Sequence, residues 1–313
     1  MILTLTLNPA LDISGIVPSL IPNEKSYVSD EKRYPGGNGI NSARIAHRLG
    51  SEVLASGFLG GPNGIEIDQL LTHEKMPHHF VSIEGQTRMN VTISLAKSHE
   101  QTRLSFPGPF IHKKEINNLL YFLQRSKPSL VLIGGSLPPS IGPATLKKII
   151  KTFNEKDVPT FLDVPGKILK ECISAHPILV KPNLSEFQEM LGKKIFKKNE
   201  VIKAARKFSQ FVPLQCISSV EGGALLIGKD FAFFGQIPKV KVHSSVGAGD
   251  SMVGAMAHVF MKEFQKINSK SAEKMLRTGL AASCATLVNK GLTMGSRASI
   301  KSFSPLIEME RID

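Results

Sequence analysis

The sequence predicts an α/β fold: a doubly wound sheet with helices on both faces and a small β-sheet lid. Two observations carry the prediction. Beyond residue 107, short apolar runs alternate with helical patterns, the signature of strand–helix–strand crossovers. Before that point the rhythm breaks: Val91, Ile93 and Leu95 alternate with Asn90, Thr92 and Ser94, as in a strand with one wet face. The 313 residues suit one large domain, here 1–313 throughout, with the lid formed by about 10–34 and 79–106.

The elements follow in order. Residues 2–7 read as a strand stopped by Asn8-Pro9, and the turn-rich stretch 12–34 (Pro18, Pro22, Asn23) as short strands in a hairpin. Pro35-Gly36-Gly37-Asn38-Gly39 opens a helix from Ile40 to Leu49 that ends at Gly50. A strand at Val53–Phe58, a loop from Gly60 to Gly64 and a helix over 65–73 come next, then a meander over 79–106. Helices are expected at 112–125, 143–155, 185–191, 199–210, 248–263 and 271–288, the last two closing the chain. Strands are expected at 130–133, 160–163, 178–181, 214–218, 224–227 and 231–234.

Composition bounds the function. Lys and Arg number 39 against 26 Asp and Glu, a formal net charge of +13. A surface this basic draws anions at long range, whether nucleic acid, acidic lipid or phosphorylated metabolites. With no Trp and three Tyr, base-stacking surface is scarce. Cys172, Cys216 and Cys284 are scattered and odd in number, so core thiols are expected rather than disulfides or a CxxC site. The N-terminus alternates apolar and polar without a basic leader, and no apolar run approaches the roughly 20 residues of a membrane span. A soluble cytoplasmic protein is expected, with no membrane partner.

Several patterns are decoys. Gly223 to Lys229 fits GxxxxGK, but its centre is an apolar strand and Asp230 follows where Ser or Thr should hold Mg²⁺. Gly37-Asn38-Gly39 with Ser42 is a broken GxGxxG. His73, His78 and His79 cluster without a carboxylate or Cys companion, as in a solvated loop.

The chemistry lies in Ser244-Ser245-Val246-Gly247-Ala248-Gly249-Asp250, just before a helix. Such a turn frees the amides of 247–250 to bind an anion, helped by the helix dipole. A carboxylate among them repels phosphate, so Asp250 needs a reason: a helix cap, or a general base beside a transferring phosphoryl group. The residues alone leave both open. The small residues Gly254, Ala255 and Ala257 are expected to pack on Ala281 to Ala285. Gly36-Gly37-Asn38-Gly39 with Asn41 lets a second ligand touch backbone at another helix entry.

Together the two segments resemble both signatures of the ribokinase-like PfkB family of carbohydrate kinases. The first runs from Gly36 through Gly39, Asn41, Ala43, Gly50 and Gly60, the second from Ser244 to Ala257. Thr6-Leu7-Asn8-Pro9-Ala10-Leu11-Asp12, Gly134 to Pro139 and Lys181 to Glu186 are similar to the phosphosugar branch. Thr87 to Val91 and Phe106-Pro107-Gly108 look most like the minor type of 6-phosphofructokinase, with fructose-1-phosphate and tagatose-6-phosphate kinases as near rivals.

The resemblance implies an ATP-dependent ketohexose-phosphate kinase, acting on fructose 6-phosphate, with Asp250 as base and Gly247, Ala248 and Gly249 as anion hole. It implies sugar contacts from Asp12, Gly36, Gly37, Asn41, Asn90 and Ser136. Arg88, on the polar face of its strand, would hold the substrate's phosphate through its guanidinium fork, with Lys25 and Arg103 as secondary candidates. Lys181, Asn183 and Glu186 match the ATP phosphate and Mg²⁺ region, Glu186 acting through metal-bound waters. Ser218 and Gly223 match the nucleotide loop, where this chain has Val220 in place of the usual Gly. Ser244, Val246, Ala285, Asn289 and Gly291 match loops that hold a monovalent cation, often K⁺. Family members pair lids across a dimer, so a homodimer is implied. Two other classes compete: a nucleic-acid binder through the Lys193–Lys207 cluster, more simply a solvated helix face, and a sugar-phosphate sensor without catalysis, which intact Asp250 argues against.

Overall fold

The computed structural model describes residues 1–312 other than positions 99, 264 and 266; position 99 falls inside the expected meander and lies outside the described residues. The first half runs β1 (Ile2–Thr6), β2 (Ala10–Val17), β3 (Ser29–Gly36), α1 (Asn38–Leu49), β4 (Val53–Leu59), α2 (Gly61–His73), β5 (His78–Ser82), β6 (Arg88–Leu95), β7 (Gln101–Ser105) and α3 (Lys113–Arg125). Then come β8 (Leu130–Gly134), α4 (Pro143–Asn154), β9 (Thr160–Asp163), α5 (Gly166–Cys172), β10 (Leu179–Val180), α6 (Leu184–Leu191) and α7 (Lys198–Arg206). The chain ends with β11 (Leu214–Val220), β12 (Gly223–Ile227), β13 (Ala232–Gln236), α8 (Ala248–Lys262), α9 (Ser269–Leu287), α10 (Arg297–Phe303) and β14 (Glu308–Arg311).

Ten strands form one sheet in the order β14-β13-β12-β11-β10-β9-β8-β1-β4-β5, parallel from β5 to β11 and antiparallel beyond. Helices cover both faces over two apolar layers. Ile2, Leu130, Leu132 and Phe161 point to one, and Leu3, Leu5, Ile133 and Leu162 to the other. This is why β8 reads as a continuous apolar run: both faces are buried, as they also are in β1, where Thr4 and Thr6 are buried between the leucines. The three cysteines are free and buried, as expected.

A second sheet of four strands, β3-β2-β6-β7, lies outside the large one. Residues 79–82 were expected in it. They instead form β5, parallel to β4 on the large sheet, and the second sheet takes only β6 and β7 from that region. The polar alternation is confined to β6; β5 reads Phe80-Val81, with Val81 buried against the large sheet.

Other boundaries also move. The expected loop at 60–64 is already helix from Gly61, because Pro62 in the first turn loses no hydrogen bond there. Helix α7 stops at Arg206 rather than 210. Helices α5 and α10 and strand β14 were not expected, so two long helices do not close the chain. Strand β14 instead covers the edge of β13. Gly254 was expected to face α9, yet a Cβ there would lie 2.4 Å from the Ser42 carbonyl, so it serves the α1–α8 contact. Gly279 of α9 makes the close approach to Met252 and Met256.

Candidate active site

The C-terminal ends of β1, β8, β9 and β10 meet the N-termini of α1 and α8, the crevice where open α/β sheets bind ligands. Gly247, at φ 77°, turns the chain into α8, and no residue with a Cβ takes that turn easily. Ser251 Oγ donates to the Gly247 carbonyl (2.8 Å) and Ser283 Oγ to the Ala248 carbonyl (2.7 Å), pinning the turn from below. The Ala248 amide bends back toward Ser245 O (3.4 Å). The amides of Gly249 and Asp250 donate to no described residue. A Cβ on Gly249 would sit 3.3 Å from Lys181 Nζ, so a buried ammonium lies against these amides.

Three carboxylates and that ammonium set the field. Lys181 Nζ pairs with Asp163 Oδ1 at 3.0 Å, both side chains 6% exposed. Burial works against the Lys181 charge, but Asp163 outweighs it and raises the ammonium's pKa. Asp250 is pushed up to about 6, first by burial and then by the Asp163 charge. Opposing this, Asn41 Nδ2 donates to Asp250 Oδ2 at 2.8 Å, and Lys181 is near. Burial also raises Glu186, against the Asn183 amide and Lys181.

The second sheet faces this crevice with its polar side. Asp12 pairs in register with Asn90, whose Nδ2 donates to Asp12 Oδ1 at 2.8 Å. Burial raises the Asp12 carboxyl, opposed by Asn90, Arg103 and Arg88. Gly36 has a specific reason: a Cβ would lie 2.1 Å from Asp12 Oδ2. Gly37 sits at φ 119° against Thr6. Arg88 Nη1 donates to the Phe106 carbonyl (2.8 Å), Nη2 to Asn8 O (3.1 Å) and Ser136 Oγ (3.4 Å). Arg88, Asn90, Asp12 and Ser136 thus come together. Arg103 of β7, opposite Thr92, is exposed on the same face of the sheet, and its charge reaches Asp12. Lys25 stands on the exposed 18–28 loop with no hydrogen bond or ion pair to a described cleft residue.

On the far side, Asn183 and Glu186 form a reciprocal cap on α6: Glu186 N donates to Asn183 Oδ1 (2.9 Å) and Asn183 N to Glu186 Oε2 (2.8 Å). Ser218 bridges to Asn183 beside them, and its amide donates to Pro182 O at 3.1 Å. Gly223 begins β12, where a Cβ would lie 2.1 Å from Gly235 O, so hairpin packing already requires glycine there. Val220 is fully buried, and Ser219, Glu221 and Gly222 take the left-handed conformations of the turn. The GxxxxGK decoy is indeed strand β12.

Two further loops meet beside α8. The His243 and Ser244 amides donate to Leu287 O at 2.8 and 3.4 Å, bringing Ser244 and Val246 alongside the end of α9, where Ala285 lies. Asn289 Nδ2 donates to the Thr293 and Met294 carbonyls (both 3.2 Å), and Gly291 sits at φ 65°. The second sheet reaches these loops through Tyr34 to Thr293 (3.5 Å) and Gln101 to Ser244 (3.4 Å).

The family profile described as "pfkB family carbohydrate kinase" matches residues 6–298. The chain belongs to the PfkB family of carbohydrate kinases. It is 30% identical over 314 residues to 1-phosphofructokinase of Bacillus subtilis, covering 100% of both chains. It is 32% identical over 299 residues to ATP-dependent 6-phosphofructokinase isozyme 2 of Escherichia coli, covering 94% of this chain and 95% of that one. Crystal structures of phosphofructokinase-2 from Escherichia coli, one in complex with substrates and products and one with potassium, each match with TM-score 0.90. Identity is 30%, covering 97% of this chain and 98% of each.

Within this PfkB chain, three residues of the crevice escaped sequence reasoning. Asp163 ends β9 at the sheet's C-terminal edge, and that position was the available signal. Asn38 donates to Asp163 Oδ2 at 3.5 Å. Asn8, taken as a strand stop, donates to Pro107 O (2.9 Å) and Ser136 Oγ (3.2 Å). Conversely, His78 does have a carboxylate companion, Asp68 at 3.0 Å, though no group of three or more His, Cys, Asp or Glu among the described residues could hold a metal. In the basic segment Lys198 pairs with Glu310 at 2.9 Å, while Lys193, Lys194, Lys197, Lys203, Arg206 and Lys207 are exposed. Among the described residues no helix is long and apolar enough to cross a membrane.

Proposed function

We propose that this chain is an ATP-dependent ketohexose-phosphate kinase that converts fructose 6-phosphate to fructose 1,6-bisphosphate in the cytoplasm. One observation carries the reading: Asp250, with a raised pKa, stands at an open helix N-terminus beside Lys181 and opposite the Arg88–Asp12 face. That arrangement suits proton abstraction next to a transferring phosphoryl group, on a substrate already anionic.

The sugar hydroxyls bind Asp12, Asn90, Gly36, Gly37 and Asn41. Arg88, Ser136 and Arg103 receive the sugar's phosphate, with Lys25 a further cation. The ATP phosphates lie along Lys181, Asn183 and the free amides of Gly249 and Asp250, and Ser218 and Gly223 border the nucleotide. Asp250 takes the hydroxyl proton, the sugar oxygen bonds to the γ-phosphorus, and the bond to the ADP oxygen breaks. Asp163 and Glu186 are a sparse, hard-oxygen pair beside Lys181, which fits Mg²⁺ held mainly through waters and phosphates. When bound, Mg²⁺ neutralises charge on the nucleotide phosphates. The juxtaposed Ser244–Val246 and Ala285–Gly291 loops suit K⁺, which takes carbonyl and hydroxyl oxygens.

The four-stranded sheet serves as lid. Its outer face carries Ile13, Val91 and Leu104 in register, with Leu104 55% exposed, and a second copy's lid is the proposed cover. The relatives' names divide between 1- and 6-phosphofructokinase. Fructose 1-phosphate is therefore the second reading, and tagatose 6-phosphate a third. Initial rates with these three sugar phosphates and with free fructose, at equal concentration, test the proposal. Preference for free fructose sinks it, and preference for fructose 1-phosphate replaces the substrate while keeping the site.

A further inference from the structure

We propose that Glu115 is a positioning residue for the sugar-phosphate half of the site, clamping the two chain segments that carry the β6–β7 hairpin and its Arg88. The hairpin joins the body through one stem between β5 and β6 (residues 83–87) and another between β7 and α3 (106–112). Glu115, in the first turn of α3, is 7% exposed. Its Oε1 accepts from the Glu84 amide of the first stem at 2.7 Å, and its Oε2 from the His112 amide of the second at 2.6 Å. These are short, charge-assisted bonds to backbone, one from each stem.

A helix cap needs only the His112 bond, since His112 precedes α3. The Glu84 bond is surplus to capping and crosses 31 residues of sequence. Two further anchors each act on one stem. Thr87 is tied to Gly60 and Asn63, and Ile111 N donates to Ser140 Oγ at 2.7 Å. Among the described residues, Asn8 inside the cleft also touches both sides, through Arg88 and Pro107, and the exposed His112 and Glu84 side chains approach across the stems to 3.7 Å. Glu115 is thus the buried bridge remote from substrate. Above it, Arg88 spans the stems by donating to the Phe106 carbonyl. Holding the stems at fixed separation pre-organises the guanidinium, so less ordering is left for substrate binding. Asp250 and Lys181 stand on other elements and do not depend on the clamp.

This inference rests on the proposed sugar-phosphate kinase. Glu115→Ala is expected to raise KM for the sugar phosphate about five-fold or more, with kcat and KM for ATP within about two-fold. Glu115→Gln, which keeps one acceptor oxygen, shifts the same way by less. Hydrogen exchange should accelerate at the Glu84 and His112 amides in Glu115→Ala, while the Thr87 amide, bonded to Gly60 O, stays protected. Faster exchange with an unchanged sugar-phosphate KM would overturn positioning and leave a structural cap. Unchanged exchange would overturn the clamp itself, as would proportional losses in kcat and both KM values. If the wild-type enzyme turns over no sugar phosphate, the kinase reading and the positioning role both fall, and exchange still decides whether the stems are clamped.

Discussion

Asn41 Nδ2 donates to Asp250 Oδ2 across 2.8 Å, joining the first turns of α1 and α8. Ser42 Oγ adds a bond to the Asp250 carbonyl at 3.0 Å. One carboxylate oxygen is therefore fixed by the body while Oδ1 accepts from no described residue, which is the arrangement a general base requires. A plain helix cap would instead accept from the amides that follow it, but the Ser251 amide is already bonded to the Gly247 carbonyl at 2.8 Å, and the unpaired amides are those of Gly249 and Asp250 itself.

Asp250→Asn keeps the shape and the Asn41 contact but removes the base. We expect kcat to fall by about 10²–10⁴-fold with sugar-phosphate KM little changed. Near-normal kcat in steady-state assays would return Asp250 to a structural role.

The pKa of about 6 at Asp250 predicts the pH profile. The base must be ionised, so activity should fall as pH drops, half lost near pH 6 rather than near the ordinary value of 3.8. Stability runs the other way. A carboxyl whose pKa is raised in the folded state favours folding below its unfolded value, and that contribution is lost as pH rises through about 6. Asp250→Asn should accordingly raise Tm at pH 8 more than at pH 4. An equal Tm change at both values contradicts the raised pKa.

The Asn41 bond holds the Asp250 pKa down against burial. Asn41→Ala should move the acid limb of the rate profile to higher pH. It should also reduce kcat at pH 7 by about three- to ten-fold, recovering in part at pH 9. A limb that stays in place would show that Asn41 serves the sugar alone.

Arg88→Ala should raise KM for the sugar phosphate by the loss of a charge-assisted contact, about 1.5–3 kcal/mol. Arg88→Lys should not restore it, because the guanidinium also spans Asn8 O and Phe106 O with separate nitrogens, which one ammonium cannot reproduce. A wild-type KM in the Lys variant argues against that geometry.

The proposed lid-to-lid contact is tested by Leu104→Glu, which places a charge on the face shared with Ile13 and Val91. Sedimentation should show a lighter species than wild type at equal concentration. An unchanged mass would place any dimer contact elsewhere.

Much of this was legible in sequence because it depends on local pattern. The alternation in β6 declared a wet strand, and Gly37 and Gly247, both at positive φ, declared turns that no other residue makes easily. Asp163 and Asn8 were not legible as site residues. A carboxylate ending a strand and an amide before a proline are common, and only their neighbours, Lys181 and Ser136, give them meaning. Elements α5, α10 and β14 were missed because short amphipathic segments carry little periodic signal.

By itself the sequence determined the alternating α/β order, the two glycine-rich helix entries and the family to which they belong, since these rest on residue type at fixed spacing. Only the tertiary structure decided that β5 leaves the small sheet, that Gly254 serves α1, and that Asn41 and Asp250, 209 residues apart, share a hydrogen bond. It also decided the state of Asp250. A carboxylate's pKa follows from burial and from the Asp163 charge beside it, and both come from chain segments that meet only on folding.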